Sequence, residues 1–182
     1  MNTELTDFLH RNNSGSDLVA RLEALGVETL ERAWDKASPG DLVWAVTRPG
    51  VMAPEQRRLF LVFVLESIED KLTDPRSKNI LEKLRTKSPI TRADAEAADA
   101  AARAAEAAAA ADDAAEAYAA DAASWAADDA RASASWAAEA AAYASWAASA
   151  DTYAEEEAEE EAREQQARWI RTNLKLADLR TN

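Results

Sequence analysis

Residues 91–150 read TRADAEAADAAARAAEAAAAADDAAEAYAADAASWAADDARASASWAAEAAAYASWAASA. Of these 60 positions 35 are Ala, and none is Leu, Ile, Val, Met, Phe, Gly or Pro. Ala is the strongest helix former, and no residue here breaks a helix. The stretch therefore predicts an all-α fold. Ala offers little area to bury, so such helices must pack with their backbones close together. The large apolar side chains of the stretch are Tyr118, Trp125, Trp136, Tyr143 and Trp146. Tyr118 to Trp125, Trp136 to Tyr143 and Trp146 to Tyr153 are each seven residues apart, and Trp125 to Trp136 is eleven. Both intervals are close to whole numbers of helical turns. The pattern reads as a packing stripe between thin helices.

One straight helix over 60 residues would run about 90 Å. A compact chain of this length has a radius of gyration of roughly 16 Å, so the stretch must break. Polar clusters able to cap mark the expected breaks: Asp112-Asp113, Asp128-Asp129 through Ser135, and Ser149 through Thr152. Thr91 with Asp94 three residues on resembles a capping box and opens the first piece. A last helix is expected from near Asp151. Glu155, Glu156 and Glu157 stand at the positive end of its dipole, and Arg163, Arg168, Arg171 and Lys175 towards the negative end. Trp169, Ile170, Leu174 and Leu176 are expected to dock it on the core.

Residues 1–90 are expected to form a helical half with a conventional apolar core, integrated with the Ala-rich acidic half of residues 91–182 into a multi-helix bundle. Leu18, Val19, Leu22 and Leu25 follow helical spacing before Gly26. A second helix is expected to carry Val27, Leu30, Ala33 and Trp34. Ser38-Pro39 pairs an N-cap with Pro at the first helical position, ahead of Leu42, Val43, Trp44 and Val46. Pro54 opens a helix whose run Leu59 to Leu65 is apolar on every side, and Glu66, Ile68 and Glu69 are expected to extend it. A helix apolar all round must be surrounded, which places it at the centre of the core. Asp74-Pro75 starts a further helix with Ile80, Leu81 and Leu84.

Charge divides unevenly. Residues 1–90 hold 14 acids and 13 bases, whereas residues 91–182 hold 20 acids and 8 bases. Nearly all of the net −13 lies in the second half. Such a surface repels nucleic acid and anionic membranes and attracts basic proteins. Arg57, Arg58, Arg76, Lys78, Lys83, Arg85 and Lys87 are expected to pair with acids of the Ala-rich helices and join the halves. No basic region followed by an apolar run stands at the start, and no window reaches the ~18 apolar residues of a membrane span. The expectation is a cytoplasmic protein.

Catalytic chemistry is sparse. The chain has no Cys and one His, His10. Gly15, Gly26, Gly40 and Gly50 form no phosphate-cradling loop. The acidic run Glu155 to Glu161 lacks the His partners of carboxylate metal sites in helical bundles and reads as a solvated charge run. No enzyme, cofactor or metal is expected.

Four segments carry a family resemblance: DLVWAVTRPGVMAPEQRRLFLVFVLE (41–66), DPRSKNILEKL (74–84), SPITRADAEAADAAARAAEAAA (88–109) and REQQARWIRTNL (163–174). With the Ala tract dotted with Trp and Tyr, they resemble the alanine-rich immunity proteins of bacterial polymorphic-toxin systems, the fifth immunity-protein family and its relatives. The resemblance covers about residues 39–176. Arg58-Leu59-Phe60 and Asp74-Pro75-Arg76-Ser77 are its most specific parts, and the first ~35 residues look like an addition of this chain's own. It implies an all-helical protein that binds and neutralises another protein, and carries over no functional residues.

Together these readings predict a stoichiometric inhibitor of a basic toxin or nuclease. Asp112, Asp113, Asp121, Asp128, Asp129 and Glu139 are the candidate partner-binding acids, with Trp125 or Trp136 as an aromatic anchor. The alternative is a phage or mobile-element anti-defence protein that blocks a host nuclease, by presenting carboxylates where DNA phosphates would sit. A third reading is a structural helical module that assembles with copies of itself through its Ala faces.

Overall fold

Five of the described helices begin where a side chain satisfies their first free amides. The computed structural model describes residues 1–12, 16–48, 51–108, 114–128 and 152–179, and no strand occurs among them. The protein is all-α. Asn2 caps α1 (Thr3–Arg11) by accepting from the Leu5 amide at 3.0 Å. Helix α2 (Ser16–Ala24) stops ahead of Gly26, whose φ of +62° is the left-handed conformation that glycine adopts without penalty. Thr29 caps α3 (Leu30–Lys36), so Val27 lies before that helix rather than on it. Ser38 accepts from Asp41 N at 3.2 Å and caps α4 (Pro39–Val46), with Pro39 in the first turn.

Pro54 opens α5 (Pro54–Glu66), and the Gln56 side chain accepts from the Ala53 amide at 2.9 Å. The expected extension past Glu66 is not seen. Ser67 caps the helix, Ile68 turns the chain, and a 3-10 turn follows over Glu69–Lys71. Asp74 caps α6 (Pro75–Thr86) through the Arg76 amide at 2.8 Å. That helix ends on Lys87, whose φ is +57°. The reciprocal cap of α7 (Arg92–Ala108) forms as its sequence suggests. The Asp94 carboxylate accepts from the Thr91 amide at 2.8 Å, and the Thr91 hydroxyl accepts from the Asp94 amide at 3.3 Å. Three helices follow: α8 (Ala114–Asp128), α9 (Thr152–Asn173) and the short α10 (Leu176–Leu179). Their bounds at Ala108, Ala114, Asp128 and Thr152 flank the segments where breaks are expected, and those segments lie outside the described residues.

The main core gathers side chains from both sides of residue 90. Leu42, Val46, Phe60, Leu61, Val64, Leu65, Ile68, Leu72, Ile80 and Leu81 meet Ala98 of α7, Ala119, Ala122, Ala123 and Ala126 of α8, and Ile170 and Leu174 from the end of the chain. Trp169 on α9 stacks on Phe63, with ring centroids 5.7 Å apart, and tilts against Phe60 at 5.5 Å. Leu176 on α10 is half-buried. A second, smaller cluster holds Leu5, Leu9, Leu22 and Val27 from the first three helices and the turn before α3.

Helix α5 is the centre of the main core but is not enclosed on every side. Its described neighbours α6, α8 and α9 cover Phe60, Leu61, Val64 and Leu65, and leave Leu59 43% exposed. Leu25 is likewise exposed, although it falls on the apolar spacing of α2. Helix α9 packs along α4, and Gly40 permits the approach: a Cβ there would lie 3.3 Å from the Arg163 guanidinium. The closest-knit pair is α7 with α8. Ala98, Ala101 and Ala102 on one, and Ala119, Ala120, Ala122, Ala123, Ala126 and Ala127 on the other, are all buried. The apolar contact is made by methyl groups, as a tract without leucine requires.

Candidate protein-binding face on α8

Between residues 118 and 127, α8 has little surface left over. Ala119, Ala120, Ala122, Ala123, Ser124, Ala126 and Ala127 are buried against α5, α6, α7 and the 3-10 turn. What remains of that stretch is one line at helical spacing: Tyr118 and Asp121 are half-buried and Trp125 is 44% exposed. Two of the sequence-predicted residues, Asp121 and Trp125, therefore share a strip, and the side chain of Asp128 lies outside the described residues. Trp125 also departs from the packing stripe expected of the aromatics. Tyr118, one step along the stripe, does pack against the core. Asp112, Asp113, Asp129, Glu139 and Trp136 lie outside the described residues, as do Tyr143 and Trp146.

The cations of the first half do not chiefly join the halves. Arg58 binds Glu55 through two contacts of 2.9 Å, Arg76 binds Asp74 at 2.7 Å, Arg85 binds Glu66 and Glu69 at 2.9 and 2.6 Å, and Lys87 binds Glu55 at 2.7 Å. All these acids belong to the first half itself, because each lies within a few turns of the cation along packed or consecutive elements. Lys83 does reach across, to Asp94 at 2.6 Å, where Asn79 also donates at 3.2 Å. Hydrogen bonds from Lys83 and then Thr91 hold the Asp94 carboxyl well below the usual carboxylate range. Those from Arg58 and Lys87 lower that of Glu55 to about 2. Arg58, Arg76, Arg85 and Lys87 are thus engaged within the first half itself.

On α9 the acidic run is partly answered by bases one turn on. Arg163 pairs with Glu159 and Arg168 with Glu164. Among the described residues no group of three His, Cys, Asp or Glu side chains is arranged to hold a metal ion. His10 is exposed on the last turn of α1. No described helix is long and apolar enough to cross a membrane. One feature had no signal in the sequence: a cavity of about 250 Å³ between the two apolar clusters. Its lining comes from α1 to α4 and α10, and only the fold brings those residues together.

No family model matches the chain, and comparison with curated proteins and with solved structures returns no match.

Proposed function

We propose that this protein is a non-enzymatic inhibitor that binds a basic effector protein, a toxin or a nuclease, and neutralises it. The observation that carries the reading is the strip on α8, where Asp121 and the exposed Trp125 fall one turn apart within residues 118–127, a stretch whose other side chains are mostly buried. An aromatic anchor beside acids on a rigid element is the make-up of an interface hot spot. The net charge of −12 on residues 91–182 would steer a basic partner towards that face. The resemblance of the 41–66, 74–84, 88–109 and 163–174 segments to alanine-rich immunity proteins supports the same class of activity.

The test begins with capture of partners from the protein's own host at low and high salt, followed by activity assays on any basic toxin or nuclease recovered. Stoichiometric inhibition, weakened at least about 30-fold by Trp125→Ala (a hot-spot loss of ~2 kcal/mol) and by Asp121→Lys, is the expected result. An effector that still binds both variants at full strength would overturn the reading. Competition between the effector's DNA and this protein would move it to the anti-defence alternative. A self-assembled peak in light scattering with no partner captured would favour the structural module.

A further inference from the structure

We infer that the cavity between the two apolar clusters is a binding site for a small uncharged aromatic molecule of two to three rings. The inference is independent of the protein-binding reading. This pocket, partly open to solvent, holds about 250 Å³. That lies between the ~150 Å³ apolar cavity that takes benzene and the ~300 Å³ at which drug-sized pockets begin. The indoles of Trp34 and Trp44 and the ring of Phe8 line it together with leucines from both clusters. Ala33, Ala37 and Ala45 line it too, at positions where a leucine would fill the space.

The polar groups at its edge explain why the ligand is uncharged. Asp41 is held by Arg21 at 2.6 Å and by the Ser38 hydroxyl at 2.7 Å. The Asn12 amide donates to Phe8 O at 2.8 Å, and Arg11 Nε donates to Asp7 O at 3.4 Å. Glu4 lines the edge too, so with Asp41 and Arg11 the rim carries charges of both signs. An ionised ligand entering the apolar interior would lose its hydration beside a like charge as well as an opposite one. An aromatic hydrocarbon surface gives up nothing on entry and gains contact with three rings.

The experiment titrates the full chain with N-phenyl-1-naphthylamine, an uncharged probe whose emission rises in apolar surroundings. The expected result is saturable binding at one equivalent. Ala33→Leu on α3 and Ala45→Leu on α4, which place a larger side chain at the lining, should each weaken it at least tenfold without lowering the melting temperature. Leu25→Ala, at an exposed position outside the cavity, should leave binding unchanged. The sulfonated analogue 8-anilinonaphthalene-1-sulfonate should bind at least tenfold more weakly. Absence of saturable binding, binding of equal strength in both leucine variants, or preference for the sulfonate would each overturn the inference.

Discussion

Substituting Ala123 tests the packing logic of the Ala-rich half in both directions. Ala123 is fully buried on α8, within the cluster that includes Ala98, Ala119, Ala122 and Ala126. Here the helices meet through methyl groups, so Ala123→Leu must push them apart. Overpacking of this kind costs about 1–3 kcal/mol, and the loss should fall near ~3 because the neighbouring positions on α8 are themselves small and buried. For a chain of this size each kcal/mol moves the melting temperature by about 2–4 °C, giving a drop of about 6–12 °C. Ala123→Gly should destabilise as well: about 1 kcal/mol from helix propensity and ~0.8 from the lost buried methyl, or about 4–8 °C. Ala93→Leu, at an exposed position in the first turn of α7, should stay within about 0.5 kcal/mol of the parent. Thermal unfolding followed by circular dichroism at 222 nm measures all three. A melting temperature for Ala123→Leu at or above that of the parent would refute close methyl packing.

Two more outcomes follow from particular residues. Lys87 ends α6 in the left-handed conformation, which costs a non-glycine residue about 1 kcal/mol. Lys87→Gly should therefore melt above Lys87→Ala by about 2–4 °C, and since both remove the ammonium that meets Glu55, the difference isolates the backbone. Glu55, held at about 2 by Arg58 and Lys87, has a folded value below its unfolded one, so its contribution is present above the unfolded value and lost as pH falls towards 2. The melting-temperature gap between the parent and Glu55→Gln should accordingly be largest near neutral pH and close between about pH 4.5 and 2. A gap that widens on acidification would contradict the assignment.

Most of the fold was legible because its signals are local. Ser38-Pro39, Asp74-Pro75 and the Thr91–Asp94 pair each satisfy amides within three residues of themselves, Pro54 sets the first turn of α5, and each marks a helix start in the structure. The end of α5 was less legible: Ile68 is apolar on a helical spacing, yet it is buried from a turn, and burial does not require helix. The exposure of Leu59 and Leu25 depends on which neighbours arrive, and periodicity along one helix carries no such information. The ion pairs went astray for a related reason. Charge counting matched the cations to the more acidic half, whereas the geometry of α5, α6 and the 3-10 turn supplied closer carboxylates at Glu55, Glu66 and Glu69. On the candidate face, helical spacing alone put Asp121 and Trp125 on one line; the burial of Ala119, Ala120, Ala122, Ala123, Ser124, Ala126 and Ala127 beside them came from the fold.

The two apolar clusters have a dynamic consequence. The first three helices close over only Leu5, Leu9, Leu22 and Val27, and they pack on the body less extensively than α4 to α9 pack on one another. They are tied to it by Arg21–Asp41 and by the partial burial of Trp34. Such a unit opens sub-globally, at a free energy well below that of complete unfolding. Its backbone amides will therefore trade hydrogen for deuterium long before those of α5, α6 and α8, which exchange only when the whole molecule comes apart. The chain thus carries a graded protection map, with its fast end at the N-terminal helices and its slow end where alanine meets alanine.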